Sequence, residues 1–291
     1  MPNIFEWIAS YFVIPGIRHA FIVAPLIAVC SSLLGVTLVL KRYSFIGEGL
    51  SHMAFGAMAV AAIVGLTNNM IISLPATILA AIILLRSGTN SKIKGDAAVA
   101  MLAVGSLGIG YLLLALFPTD NFAADVCKVL FGDAAIIRLS VFDVWACVAL
   151  SVITVLLFIF FYHKIFAVTF DENFARATGV KTNMYNLIIA VITAVIIVLA
   201  MKLVGSLLVS ALIIFPALSA MRLFRTFKSV TICAAIISLL CTISAMLLHL
   251  LFPLFLPGKT LPIGPAIVAL NIIVFLVFFL VNSIKTKAKR S

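Results

Sequence analysis

The chain carries little of what a soluble enzyme of its size would need. Only 10% of its 291 residues are Asp, Glu, Lys or Arg, against 65% hydrophobic. That balance leaves too few polar groups for a water-facing globule and reads as a polytopic membrane protein. No Gly-x-x-x-x-Gly-Lys-Ser/Thr loop occurs, so the chain does not cradle nucleotide phosphates by that route, and any energy source is a partner or an ion gradient. There is no Gly-x-Ser-x-Gly elbow and no His-Glu-x-x-His run, which leaves no visible nucleophile–base pair for an intramembrane enzyme. The five cysteines are scattered without a Cys-x-x-Cys pair, and Cys30, Cys147, Cys233 and Cys241 sit in apolar runs as small hydrophobes. The N-terminal Met-Pro-Asn-Ile-Phe-Glu-Trp has no basic region ahead of its apolar stretch, so no secretory signal is expected.

What is present is a succession of long apolar segments. Residues 1–16 predict an interfacial N-terminal segment anchored by Trp7. Nine longer segments follow, at about 17–40, 46–66, 70–85, 96–117, 140–163, 184–201, 204–221, 229–252 and 262–283. The expectation is an all-α, single-domain helical bundle of about 8–9 transmembrane helices. Only Lys202 and Leu203 separate the segments 184–201 and 204–221, where a broken or re-entrant arrangement is possible.

The net charge of +11 does not point to nucleic acid, because the charges fall in short inter-span loops. If the loops after the first, third, fifth and seventh spans face the cytoplasm with the C-terminal tail (284–291), that side holds fifteen of the twenty Lys and Arg. Arg18, Lys128, Arg138, Lys202 and Lys259 remain outside. The asymmetry predicts nine spans, an outer N-terminus and an inner C-terminus.

One stretch stands out, Tyr43-Ser-Phe-Ile-Gly-Glu-Gly-Leu-Ser-His52, at the start of an apolar segment reaching Leu66. Four residues are about one helical turn, roughly 6 Å of rise, so Glu48 and His52 share a face. A carboxylate and an imidazole so placed make a two-ligand claw for a divalent metal. Gly47, Gly49, Ser51, Ala54, Gly56 and Ala57 let another helix approach closely. The plainer reading pairs Glu48 with Lys41 or Arg42 at the interface and packs His52 against a backbone carbonyl.

Other polar positions carry weaker signals. Asp96 follows Gly95 and suits a helix cap, and His249 lies late in the eighth span as an interface histidine. Residues 118–139, with Asp120, Asp125 and Asp133, read as a solvated outer loop. Gly105, Gly108 and Gly110 suggest a close-packing surface, and Pro216 a kink. Residues 167–183 form a polar loop in which Asp171 can cap a short helix starting at Glu172, and Gly179 can end it. With Phe174 and Ala175 on one face, that helix can dock a cytoplasmic partner.

Taken in order, Leu40-Lys-Arg-Tyr-Ser-Phe-Ile-Gly-Glu-Gly-Leu-Ser-His52, Leu130-Phe-Gly-Asp133, Asp171-Glu-Asn-Phe-Ala-Arg-Ala-Thr-Gly-Val180 and the run from Met201 through Pro216 to Ala220 resemble the permeases of bacterial zinc and manganese ABC importers. The resemblance runs from about residue 17 to the end. It implies a multi-pass plasma-membrane permease that pairs with a second permease protomer, a cytoplasmic ABC ATPase dimer and an extracytoplasmic metal-binding protein. It also implies that the chain binds no cofactor, with ATP held by the partner. On this likeness Asp171, Glu172, Ala175 and Gly179 belong to the ATPase-coupling helix. Glu48 and His52 match the family's Gly-Asp-x-x-x-His pattern, with Glu for the usual Asp, which carries the carboxylate about 1.5 Å farther out. Two such claws across a twofold axis would make a four-ligand N/O site, for zinc first and manganese next. The alternatives are a stand-alone secondary cation transporter or channel, and an ABC permease for an iron chelate.

Overall fold

The computed structural model describes residues 10–66, 70–87, 95–117, 141–256 and 261–288. In chain order its helices are α1 (Pro15–Leu40), α2 (Ile46–Ile63), α3 (Met70–Ser87), α4 (Gly95–Leu116), α5 (Val141–Phe160), α6 (Tyr162–Phe170), α7 (Glu172–Ala177), α8 (Thr182–Val204), α9 (Ser206–Leu223), α10 (Phe227–Phe255) and α11 (Ile263–Ala288). Among the described residues there is no strand. The chain is an all-α, multi-span membrane bundle.

Among the described residues seven helices (α1, α2, α4, α8, α9, α10 and α11) are each long and apolar enough to cross a membrane, and the bent pair α5–α6 makes eight. α3 carries a shorter apolar stretch, Met70–Leu85, and runs back from the far end of α2 to the α1–α2 turn, where its Leu84 carbonyl accepts from Tyr43.

The helix is interrupted at Gly205, beside the Lys202–Leu203 separation, with both flanking helices long enough to cross. α8 and α9 are two complete spans joined at Gly205, whose φ of 91° is open to glycine and strained for other residues. The sharp bend, 77°, comes between α5 and α6. No proline causes it. Tyr162, Phe166 and Phe170 of α6 pack around Phe227 at the start of α10, with ring centroids 5.5, 5.5 and 6.0 Å away. These aromatic contacts hold α6 against its neighbour and away from the line of α5.

α1 is the most buried of the spans and α11 the least. At the centre a Cβ built on Gly35 would stand 2.1 Å from the Ile213 carbonyl oxygen, so α1 and α9 meet backbone to backbone. Ser238 of α10 donates to the Ala28 carbonyl at 2.8 Å, fastening α10 to α1. Other buried hydroxyls turn back on their own helices: Ser51 on Gly47, Thr77 on Ser73 and Thr154 on Leu150. Without water, that is how such groups are satisfied. Met101, Val104, Ile109 and Leu112 of α4 and Ile273, Leu276 and Leu280 of α11 are exposed, a costly surface in water and a neutral one in lipid. Pro216 lies inside α9 without ending it, and Cys30, Cys147 and Cys241 are buried free thiols, as small hydrophobes should be.

The described helix ends that flank the loops expected on one side gather at one end. Tyr43 donates its hydroxyl to the Leu84 carbonyl at 2.9 Å, which joins the α1–α2 turn to the end of α3. The Ser44 N–H donates to the Asp96 carboxylate at the start of α4 at 3.1 Å. Asp96 thus ties two elements together, where the sequence suggests a cap on its own helix. The α6 contacts with Phe227 bring the loop after α5 to the start of α10, and Arg222 lies over the Phe279 ring of α11, 5.2 Å from its centroid.

Candidate functional site

α2 starts at Ile46 with no side-chain cap, so its first N–H groups present the positive end of the helix dipole. Glu48 sits in that first turn, where a carboxylate is favoured. His52 follows one turn later, and its Nε2 lies 3.6 Å from Oε1 of Glu48. The histidine side chain is 13% exposed and the glutamate 47%, so the pair is inside the bundle on one side and open on the other. An ion held at about 2.0–2.2 Å by each donor would set them roughly 3.0–3.6 Å apart, in octahedral or tetrahedral geometry. The observed spacing fits. The interfacial alternative, Glu48 paired with Lys41, is not what forms, because the Lys41 ammonium donates to Asn186 on α8.

The small residues around the pair do what their size suggests. A Cβ on Gly49 would stand 2.5 Å from Cγ1 of Val99, one on Gly56 2.8 Å from the Ser106 carbonyl oxygen, and one on Gly47 3.0 Å from Cδ1 of Ile213. α4 therefore runs parallel to α2, with 49 beside 99 and 56 beside 106, while α9 closes the other flank. Gly110 joins this contact, packing on Phe55 and Gly56, whereas within the one chain a Cβ on Gly105 or Gly108 would meet nothing within 4 Å. Among the described residues no group of three or more His, Cys, Asp or Glu comes together. The claw has two such ligands from one chain.

The second polar element closes on itself. The Asp171 carboxylate accepts from the Phe174 N–H at 2.9 Å, as an N-cap does. At the other end Gly179, at φ 85°, donates to the Arg176 carbonyl while Val180 donates to that of Ala175, at 3.1 and 3.0 Å. This is a Schellman closure, which needs the left-handed residue at 179. Ala175 is fully buried, so it is not available on an outer face with Phe174; the exposed side is Phe174 and Arg176. Ala175, four residues past the Asp171 N-cap, turns inward because α7 lies against the bundle on that side.

Glu172 also turns inward. Its side chain is 14% exposed, with Oε1 3.3 Å from Nη2 of Arg176. It lines a cleft of about 280 Å³ with Asn183, Asn186 and Leu187 of α8 and Leu85 of α3. Next to this cleft burial pushes the Lys41 ammonium down to about 8, with the negative charge of Glu172 working against the shift. Burial pushes the Tyr43 phenol up, and the charges of Glu172 and Asp96 push it further. The sequence gives no hint of this cluster, since Lys41-Arg42 after an apolar helix looks like ordinary basic flanking. The one trace it leaves is Asn186, a polar residue in the second turn of an apolar span.

His249 is bonded through Nδ1 to the Leu261 carbonyl, a structural contact between α10 and the approach to α11. Asp120, Asp125, Asp133 and the Leu130-Phe-Gly-Asp133 match lie outside the described residues, as do Glu6 and Trp7.

The model of the ABC 3 transport family matches residues 14–282. The chain is 25% identical to the manganese import system permease protein ScaB of Streptococcus gordonii, covering 94% of each. It is 29% identical to the high-affinity zinc uptake system membrane protein ZnuB of Haemophilus influenzae, over 80% of this chain and 84% of that one. Among solved structures, PsaBC from Streptococcus pneumoniae in complex with Fab superposes with a TM-score of 0.75 at 25% identity, covering 95% of both chains.

Proposed function

The chain belongs to the ABC 3 transport family, and from that premise we propose that it is the permease subunit of an ATP-driven importer for a divalent transition metal ion. The observation that carries the reading is the Glu48–His52 pair, 3.6 Å apart in the helix that α4 and α9 clasp. Zinc and manganese both accept such an N/O donor set, and the relatives are named for one or the other. No thiolate is offered, which suits an ion that must leave again.

A second permease protomer supplies the ligands that one chain lacks, so that two claws hold one ion. An extracytoplasmic metal-binding protein delivers the ion. The end that gathers the α1–α2 turn, α6, α7 and the starts of α8 and α10 faces the cytoplasm, where the basic loops belong. There two ATPase subunits dock on the exposed Phe174 side of α7, and their hydrolysis alternates the dimer between outward- and inward-open states. The membrane is the bacterial plasma membrane.

The test is uptake into proteoliposomes with the ATPase and the binding protein, run for zinc, manganese and iron(II), wild type beside His52→Ala. ATP-dependent uptake of one metal, lost in the variant, is the expected result and names the substrate. Uptake that persists in the variant returns Glu48 and His52 to a structural role.

A further inference from the structure

One charge just outside the apolar spans is turned into the bundle and takes no part in the metal pair. Lys41 ends α1, and its ammonium donates to Oδ1 of Asn186 in the second turn of α8, a residue that is itself 7% exposed. Glu172, on the inward side of α7, lines one cleft with Asn183 and Asn186, and its negative charge acts on the Lys41 ammonium. A buried ammonium needs compensation close by, and here the compensation comes from the docking helix and the helix that follows it.

Lys41 is also joined to α2 by a turn with no slack. Arg42 stands at φ 63°, a left-handed conformation that a side chain disfavours. It is held there because Arg42 and Tyr43 donate to the Val39 and Leu38 carbonyls, closing α1. Tyr43 is wedged between the Leu84 carbonyl, which takes its hydroxyl, and Gly95, where a Cβ would stand 2.7 Å from its ring. Ser44 is held by Asp96, and α2 begins at Ile46, two residues before Glu48. Every residue from 41 to 44 is thus bonded to α1, α3, α4 or α8, and a displacement at Lys41 has no loose link in which to be lost.

Resting on the permease reading above, we propose that Lys41 and Glu172 are positioning residues that tie the docking helix α7, through Asn186, to the turn that aims the Glu48/His52 helix. A shift of α7 driven by an ATPase moves the Glu172 carboxylate within the cleft it shares with Asn186, the residue that accepts from the Lys41 ammonium. The rigid turn passes that shift to the first turn of α2. Lys41 touches neither the metal nor the ATPase. Its effect is on the link between them.

The experiment measures ATP hydrolysed per metal ion imported by the full complex in proteoliposomes, together with metal binding to the purified permease. Lys41→Met, Lys41→Arg, Glu172→Gln and the Met/Gln double variant are compared with wild type. Lys41→Met should raise the ATP-to-metal ratio by about tenfold, while metal affinity stays within about twofold of wild type. Lys41→Arg, which keeps the charge, should recover part of the loss. Glu172→Gln should raise the ratio too, and the double variant should do no more than the larger single change, as residues acting through one link do.

A ratio unchanged in Glu172→Gln, or single effects that simply multiply in the double variant, overturns the link. If Lys41→Met does not assemble, Glu172→Gln and Lys41→Arg decide between the same outcomes. A wild type that imports no metal sinks the permease reading and this link with it, whereas normal wild-type import with insensitive variants overturns the link alone.

Discussion

The two polar stretches of this bundle are built on opposite plans. The α7 helix, six residues long, is complete in itself: Asp171 caps its start, Gly179 closes its end, and Glu172 pairs with Arg176 one turn apart. The Glu48–His52 pair on α2 is the reverse. Its helix starts with no side-chain cap, its carboxylate is half-exposed, and the described residues bring no third acidic, histidine or cysteine ligand to it. A helix of six residues has to be held by its own end contacts, because it is too short for helix cooperativity to sustain it. A transfer site gains from being unfinished within one chain, because an ion that is fully enclosed does not leave.

The sharpest way to break that contrast is to remove the unfinished site. Glu48→Ala and His52→Ala should each cut metal uptake by at least about 10–100-fold, the scale on which even indirect partners of a metal count. Assembly, read by size-exclusion of the complex, should be unchanged, since neither residue closes a hydrogen bond that the fold requires. Next in size is Phe174→Asp, which should weaken ATPase binding by roughly tenfold or more and leave metal binding to the permease untouched. Equal loss of both would mean that the two regions are not separable.

Ala175→Leu tests whether α7 depends on seating as well as on its own hydrogen bonds. With no room at a fully buried position, overpacking should cost about 1–3 kcal/mol, seen as easier protease cleavage at 171–180 and reduced ATPase stimulation. The smallest effects belong to the ends of the helix. Asp171→Ala and Gly179→Ala should each cost about 1 kcal/mol locally, a drop in ATPase affinity of several-fold at most. If either matched Phe174→Asp, the helix would be less self-sufficient than its hydrogen bonds indicate.

Much of this was legible from residue type and spacing, because the rules involved are local. Asp171 and Gly179 bracket a helix whatever surrounds them, and Glu48 with His52 must share a face if 46–63 is helical. The misreadings are all about what lies across from a residue. Gly105 and Gly108 are as small as Gly49 and Gly56, yet among the described residues of the one chain only the latter two meet another helix. Ala175 sits beside Phe174 in sequence and on the opposite side of α7 in space. The bend at Phe161 carries no proline or glycine, and is set by an aromatic cluster around a residue 66 positions later, Phe227.

By itself the sequence determined that this is a membrane-spanning helical bundle, where its short polar helix begins and ends, and that one carboxylate–imidazole pair sits a turn apart. Those follow from hydropathy, backbone conformation and helical period, which act within a few residues. Only the tertiary structure decided that Lys41 reaches Asn186 instead of Glu48, that Glu172 turns inward toward it, and that α4 lies parallel along the metal helix. Buried charge and close packing are satisfied by whichever groups the fold brings near, and those groups lie a hundred residues or more apart in the chain as often as they lie next to each other.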